Sequence, residues 1–377
     1  MSRRILISVT SDLNSDQRVH KVSQTCHDQG FEVVLVGRLT RDSLDLEKRD
    51  YRTRRFWLPF QRKAGFYAFY NIRLFIYLVF HRADILISND LDTLPANFLA
   101  SRLKGIPLIY DSHEYFTEVP ELQHRPLVKW VWTRIEKGIF PRLRHVYTVN
   151  ATIAGIYRNK YHTDVQVIRN LPFLHRVSSG NQPGITLPEN RKILIYQGAG
   201  IHRDRGAEEL VISMAHLNPA EYYLVIAGSG EVIGDLKKLV LDLQLGDRVR
   251  FIDRMPFHQL AGLTRRAHLG LTLDKPTNLN YRYSLPNKLF DYIHAGIPVL
   301  ASDLPEIKAI IDHYEIGECL DSLEPLRLAA KIASMFSDPV RYASWKAHTQ
   351  NASRELCWEK ESLVLISILK SLEPLKT

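Results

Sequence analysis

Cysteine is scarce in this sequence and poorly placed for chemistry. The three cysteines, Cys26, Cys319 and Cys357, lie far apart and fit no metal-ligand spacing. That argues against a disulfide framework or a zinc site and suits reduced thiols in a cytosolic protein. Long apolar runs are also lacking. The richest, Phe66 to Phe80, has fifteen residues and is interrupted by Asn71 and Arg73, whereas a bilayer span needs about 20 apolar residues. The stretch Met1 to Val9 carries Arg3 and Arg4 but no long apolar region and no small-residue cleavage site. A secretion signal is therefore not expected, and a cytoplasmic location is. No recognisable nucleic-acid-binding module is present either, so nucleic acid is not an expected partner.

What is there describes an ordinary globular chain with an uneven charge. The 377 residues are 45% apolar and 24% charged, enough for two domains. Residues 1–172 hold 26 Lys and Arg against 17 Asp and Glu, and the remainder holds 24 of each. Residues 48–82 alone hold nine basic residues against the single acid Asp50, next to the aromatic run FYAFYNIRLFIYLVF. A basic, aromatic helix of this kind can lie on an anionic membrane surface. It can equally be a core helix preceded by a solvated basic loop, and one helix has faces for both.

Short β-rich runs alternate with helical patterns, which predicts an α/β protein with parallel sheets. In the first half, strands are expected at 5–9, 32–36, 84–88, 107–110, 146–149 and 165–168. In the second they are expected at 192–196, 222–226, 249–252, 269–273, 298–301 and 317–320. A helix from Gln17 to Gln29 should end at Gly30. Residues 173–190, rich in Gly, Pro, Ser and Asn, read as a linker. The expected organisation is a first domain over 1–172, the linker, a second domain over 191–355, and a C-terminal helix over 356–377 returning to the first domain. Both domains should be Rossmann-like and doubly wound, facing a cleft, with ligands beyond the C-terminal strand ends.

The most informative stretch is YSLPNKLFDYIHAGIPVLAS, Tyr283 to Ser302. Ser284 and Pro286 are expected to open a helix that Gly296 and Pro298 close. Its N-terminus suits a phosphate, and a bound diphosphate would offset the cost of placing Lys288 in the first turn. Asn287, Lys288 and Asp291 are expected on one side of this helix, with Asp291 able to accept hydrogen bonds from ribose hydroxyls. The alternative is a surface ion pair between Lys288 and Asp291.

This stretch resembles the helix entrance of the retaining family 4 glycosyltransferases of the GT-B fold, in which two glutamates lie eight residues apart. The second falls on Asp291 and the first on Tyr283, which is no acid; a subset with S-x-P-x-K is similar to Ser284 to Lys288. The resemblance covers almost the whole chain. YQGAGIHRDRGAEEL is similar to the loop where the family places a basic residue before glycine, here Arg205 and Gly206, and implies that Arg205 clamps the diphosphate. YLVIAGSGE, with Gly228 and Gly230, resembles the next strand and turn, where small residues let the nucleotide approach. VRFIDRMP resembles the loop lining the base, with Asp253 where the family has glycine.

The first half fits the family more loosely. The loop TSDLNSDQRVHK offers Asn14, Asp16, Arg18 and Lys21; a helix cap at Ser15 or Asp16 explains them, and so does a reach of Arg18 to a phosphate or acceptor. YDSHEYF puts His113 and Glu114 just after a strand, which resembles the family's acceptor-side loop with a sugar-contacting histidine. Such a histidine, titrating near neutrality, could transfer protons. NDLDT contains Asp-x-Asp, but its spacing is common by chance and the resemblance implies metal-independent catalysis, so no metal site is expected.

The resemblance thus implies a hexosyltransferase using a UDP- or GDP-linked sugar as substrate with no cofactor, acting with retention. Its acceptor is expected to be a lipid-linked glycan of bacterial surface-polysaccharide assembly, met at an anionic membrane surface through residues 48–82. A nucleotide-sugar epimerase of the same fold and a non-catalytic GT-B scaffold are the rivals.

Overall fold

The computed structural model describes residues 2–14, 16–41, 43, 45–60, 63–174 and 184–372, with backbone alone at 63 and 64. Ser15, Arg62 and residues 175–183 of the expected linker lie outside the described residues. The chain forms two compact units, Met1–Asn170 with Glu361–Thr377, and Leu171–Lys360.

The first unit holds a seven-stranded sheet in the order β3-β2-β1-β4-β5-β6-β7, every pair parallel. Its strands are β1 (Arg4–Asp12), β2 (Glu32–Leu39), β3 (Arg52–Trp57), β4 (Ile85–Asn89), β5 (Leu108–Ser112), β6 (His145–Thr148) and β7 (Val165–Val167). The helices are α1 (Gln17–Asp28), α2 (Lys63–Phe80), α3 (Leu94–Lys104), α4 (Pro120–Gln123), α5 (Pro126–Ile139) and α6 (Ala151–Tyr161). Continuous apolar runs make the central strands: all five residues of β4 and all five of β5 are buried, as suits a parallel sheet covered on both faces. The chain steps one way from β1 to β2 and the other way from β4 to β7, so the sheet has a switch point between β1 and β4.

Residues before α2 are not the solvated loop of the core-helix alternative. RTRRFW forms β3, an edge strand parallel to β2, with Arg52 and Arg54 exposed and Phe56 buried. Charge suits an edge strand, since it discourages pairing with another chain. Much of the local basic charge is engaged: Arg49 donates to the Leu13 carbonyl at 2.6 Å, Arg73 to the Trp57 carbonyl at 2.6 Å, and Arg82 lies 3.8 Å from Asp84. In α2 a stripe of Phe66, Tyr70, Leu74 and Leu78, each four residues on, is buried. Phe69, Ile72, Ile76 and Phe80, on the other side, are exposed.

The second unit holds a six-stranded parallel sheet in the order β10-β9-β8-β11-β12-β13. Its strands are β8 (Lys192–Gly198), β9 (Tyr222–Gly228), β10 (Val249–Ile252), β11 (Leu269–Thr272), β12 (Val299–Ser302) and β13 (Gly317–Leu320). Helices α7 (Ala207–Ser213), α8 (Ile233–Asp242), α9 (Phe257–Thr264), α10 (Leu279–Arg282), α11 (Asn287–Ala295), α12 (Pro305–Tyr314), α13 (Pro325–Ser337) and α14 (Pro339–Glu355) follow or connect them. Two apolar clusters fill this unit; Leu194, Leu224 and Leu271 belong to one, and Ile195, Val225 and Phe290 to the other. Neighbouring strand residues alternate between them, as the pleat requires. The final helix, α15 (Trp358–Ser371), begins in the second unit and runs into the first. Among the described residues no helix is long and apolar enough to cross a membrane.

Candidate functional site

In the second unit, three loops meet at the C-terminal ends of β8, β9 and β11. They approach so closely that a Cβ would clash with backbone at Gly206, Gly228 and Gly230, at the last 2.0 Å from the Ile201 carbonyl oxygen. At Gly228, φ is 134° and a Cβ would lie 1.9 Å from the Gly198 carbonyl oxygen; at Gly206, φ is 75° and a Cβ would lie 2.2 Å from that of Leu273. Ile201 N–H donates to the Ser229 carbonyl at 2.9 Å, locking the first two loops together.

Arg205 and Lys288 converge here on a residue that was not singled out in the sequence, Asp274. It directly follows Leu273 at the end of β11 and is fully buried. Arg205 Nη1 donates to Asp274 Oδ1 at 2.9 Å, and its guanidinium lies 4.1 Å from the Tyr281 ring centroid. Arg205 is thus held within the site rather than solvated. Its Nε is shielded from solvent and has no hydrogen-bond partner among the described residues. Lys288 Nζ sits 4.2 Å from the Tyr196 ring centroid. Burial drives the Lys288 ammonium down to about 8, helped by Arg205 and opposed by Asp274. Burial alone would raise Asp274, but Lys288 and Arg205 outweigh it and hold the carboxylate below its usual value. Asp274 is thus paired with Arg205 and lies within the electrostatic reach of Lys288.

The entrance of α11 differs in detail from expectation. Ser284 does not cap this helix: its hydroxyl donates 2.9 Å back to the Tyr281 carbonyl. Pro286 occupies the N-cap position itself, one residue before the first turn, and its ring carries no oxygen to cap α11. The first turn also contains no acid, so the positive end of the helix adds to the two cations. Asn287 is exposed at that turn, and Tyr283, half-buried, ends α10 with the Arg282 guanidinium 5.8 Å from its ring centroid.

Lys288 and Asp291 do not act on the same side. Tyr196 and Gln197 are consecutive on β8 and point to opposite faces. Lys288 lies over Tyr196, whereas Asp291 Oδ2 accepts from Gln197 Nε2 at 3.0 Å. Gln197 Oε1 in turn accepts from the Thr264 hydroxyl at 2.7 Å, which fixes the amide. The two stay neighbours on the helix surface, and the two faces of β8 give them different partners. Asp291, Gln197, Arg265 and His294 line a depression between α9 and α11, with Phe257 and Leu260 among its apolar walls.

The first unit gathers charges at the C-terminal ends of β1, β4 and β5, but they neutralise one another. Arg18 is buried: Nε and Nη2 form a fork on Asp111 at 2.9 and 2.6 Å, and Nη1 donates to the Ile168 carbonyl at 2.9 Å. This corrects the expectation that Arg18 reaches a phosphate or acceptor, because every guanidinium nitrogen is committed within the unit. Burial opposes the ionised state of Asp111, yet Arg18 and His113 depress its carboxyl to about 2.

His113 lies between two carboxylates, Nδ1 3.2 Å from Asp90 and Nε2 3.1 Å from Asp111, with Asn89 Oδ1 at 3.2 Å. Burial opposes its charge, but Asp90 and Asp111 raise it to about 9. At neutral pH it is therefore a cation that can donate, and the expected titration near neutrality is corrected. Asp90 holds a left-handed backbone, φ 60°, that lets its carboxylate accept from His113 N–H at 2.8 Å. Asp92, raised to about 7 by burial and by Asp90, accepts from the Thr10 hydroxyl at 2.5 Å. Glu114 is half-buried, its carbonyl accepting from Ser112 at 2.9 Å. Asn14 is half-buried in the loop between β1 and α1, where Asp16 caps α1 by accepting from Val19 N–H at 3.1 Å.

Comparison with known proteins adds an independent finding. The family described as Glycosyl transferases group 1 matches residues 180–352, and the family described as Glycosyl transferase 4-like domain matches residues 15–170. No curated protein matches the sequence. The structure is similar to sucrose-phosphate synthase from Thermosynechococcus elongatus, with a TM-score of 0.77 at 16% identity over 98% of this chain and 99% of that one. It is similar to HepE of Anabaena in complex with UDP-glucose, with a TM-score of 0.72 at 14% identity over 98% and 99%. It is also similar to WaaG, a glycosyltransferase involved in lipopolysaccharide biosynthesis, with a TM-score of 0.73 at 14% identity over 95% and 99%. At such identities these likenesses speak for the fold alone.

Proposed function

The chain belongs to the group 1 glycosyltransferases of the GT-B fold, and from that premise we propose that it moves a hexose from a nucleoside diphosphate sugar to a glycan acceptor with retention, as in family 4. The observation that carries this reading is the pair of cations Arg205 and Lys288 near the buried anion Asp274, beside the start of α11, whose N-cap is a proline. One carboxylate balances one cation, and the surplus charge with the helix dipole suits a diphosphate.

In the proposed reaction the bond from the sugar anomeric carbon to the diphosphate oxygen breaks. The acceptor hydroxyl bonds to that carbon on the same face, and its proton passes to the departing phosphate oxygen. No enzymic nucleophile and no cofactor are needed. Arg205 and Lys288 stabilise the charge developing on the leaving group, so the reaction would not depend on a metal ion. Asp291, oriented by Gln197, would accept from ribose hydroxyls, and Gly228 would let the nucleotide approach the backbone. Tyr283, Ser284, Pro286 and Asn287 would border the diphosphate. In the first unit, His113 would reach a sugar hydroxyl only by exchanging one of its two carboxylate partners for it, with Asn14 and Glu114 on the acceptor side. UDP donors merit testing before GDP donors because the similar HepE is described with UDP-glucose. The acceptor is proposed to be a lipid-linked glycan of surface-polysaccharide assembly, reached by peripheral attachment to the inner face of a membrane through residues 48–82.

The test is thermal unfolding with UDP, GDP, ADP or no nucleotide, followed by donor turnover with and without glycan acceptors. A ligand at 100 times its dissociation constant should stabilise by about 2.7 kcal/mol. A raised midpoint with one nucleotide and acceptor-dependent turnover are expected. Turnover without any acceptor would favour an epimerase, and no nucleotide effect at all would favour a scaffold.

A further inference from the structure

We propose that Asp92 and Arg38 form a subsite of the first unit that takes a neutral sugar ring of the acceptor glycan. The subsite deepens the functional reading above and rests on it for the identity of its ligand. Its residues stand outside the network of Arg18, Asp111, His113 and Asp90.

Two features that read as incidental in the sequence build this place. NDLDT contributes Asp92, in the loop between β4 and α3, and Asn71 is the polar break in the aromatic run of α2. Asn71 Nδ2 donates to the Asp92 carbonyl at 2.7 Å and Asn71 Oδ1 accepts from Ala96 N–H at 3.2 Å, so one amide pins the loop and the first turn of α3. Held this way, the Asp92 carboxylate reaches from the end of β4 to the end of β1, where Oδ2 accepts from the Thr10 hydroxyl at 2.5 Å. β1 and β4 flank the switch point of the sheet, and open parallel sheets bind ligands in the crevice beyond the strand ends at that point. Neighbouring Tyr70 serves the fold, its hydroxyl donating to the Val9 carbonyl at 2.5 Å.

An unused acceptor and an unused donor remain there. Asp92 is 7% exposed, and its Oδ1 is shielded from solvent with no hydrogen-bond partner among the described residues. Arg38, near the end of β2, holds its guanidinium 4.9 Å from the Phe66 ring centroid, and its Nε is likewise shielded and without a partner among the described residues. A buried polar atom left unpaired costs free energy, which a ligand group bonded to it would recover. Tyr67 lies within the electrostatic reach of both charges, and burial raises its phenol, so it stays protonated as a further donor.

Charge selects the ligand. Around Asp92 lie the anions Asp90 and Glu114 and the cation His113, and the surroundings of Tyr67 add Glu121 and Arg38. Asp90 and His113 offset each other, which leaves Asp92, Glu114 and Glu121 against Arg38. A phosphodiester or diphosphate offers only acceptors and adds negative charge, so it would meet repulsion and leave Asp92 Oδ1 unpaired. A sugar hydroxyl is donor and acceptor at once. One hydroxyl can donate to Asp92 Oδ1 while its neighbours on the ring accept from Arg38 or Tyr67. The acceptor thus presents a sugar here and not the phosphate of a lipid carrier, and an earlier sugar transfer onto that carrier must supply it.

The experiment is saturation-transfer NMR of the full chain, with UDP present, against methyl glucoside, methyl galactoside, methyl N-acetylglucosaminide and methyl phosphate. It compares the native protein with Asp92→Ala and Arg38→Met. The native chain should bind at least one glycoside, and methyl phosphate should not displace it. Each variant should lose about tenfold or more in affinity for that glycoside, with the UDP-induced rise in unfolding midpoint retained. Where Asp92→Ala fails to fold, Arg38→Met decides alone. Absence of glycoside binding to the native chain, native-like binding by the folded variants, or displacement of the glycoside by methyl phosphate would overturn the proposal. Loss of the UDP shift in the native chain would instead count against the functional reading, whatever the glycosides show.

Discussion

Both units place ionisable groups at the C-terminal edge of a parallel sheet, yet the two sets are balanced differently. In the first, Arg18 and His113 face Asp111 and Asp90, two cations and two anions in mutual contact. In the second, Arg205 and Lys288 lie near Asp274, with Arg205 Nε unpaired among the described residues and a helix start whose N-cap is a proline with no capping oxygen. A closed set is a frame that holds loops in place. An open set has charge to offer an anion. Sign and number of the groups at one sheet edge would mislead about function without this account of who is already paired.

The largest expected effect breaks the closed set. Arg18→Ala leaves Asp111 buried with His113 alone and should destabilise the protein by about 3–5 kcal/mol, measured by urea unfolding. Arg205→Ala should cost clearly less stability, because Asp274 keeps Lys288 nearby and the removed guanidinium already has an unused nitrogen. Equal losses would erase the distinction between frame and cradle.

Lys288→Ala comes next and acts on the open set. Removing a charged hydrogen-bond partner of a diphosphate should weaken nucleotide binding by about 1.5–3 kcal/mol, ten- to a hundredfold by calorimetry, with little change in the unfolding midpoint. Gly228→Ala should follow at about 1–3 kcal/mol of strain, since its Cβ would press on the Gly198 carbonyl. Its signature is loss of nucleotide affinity together with a lower midpoint.

A pH slope belongs to the first unit. His113 titrates at about 9 in the folded chain against an ordinary 6.5, so the folded state binds the extra proton between those values. Its contribution is complete below about 6.5 and is lost as pH rises through 9. The midpoint should therefore fall between pH 7 and 9, and His113→Asn should flatten that slope.

How far the sequence reveals these sets depends on the range of the contacts. Strand positions in both sheets are legible because parallel strands buried on both faces are continuous apolar runs, as ILIS in β4. RTRRFW escapes that rule: an edge strand needs only Phe56 buried, and its arginines read as a loop. Arg205 and Lys288 stand out because they follow or precede elements with glycine and proline punctuation. Asp274 does not, being one acid after a strand, and its meaning comes from Arg205, 69 residues away. Arg18 misleads for the same reason, since its partner Asp111 is 93 residues distant. Exposed Trp130 and Leu127 of α5 share helical spacing with buried residues, and periodicity alone does not say which stripe faces the core.

The central claim is that the open set in the second unit holds the diphosphate of the donor, and UDP binding by calorimetry from pH 7 to 9.5 tests it most directly in the native chain and in Lys288→Ala. Bound diphosphate would favour charged Lys288, which titrates at about 8 without it, so native affinity should hold below that pH and fall above it, approaching tenfold per pH unit. The variant should bind weakly and without that slope. Equal affinity and equal pH dependence in the two proteins would contradict the claim.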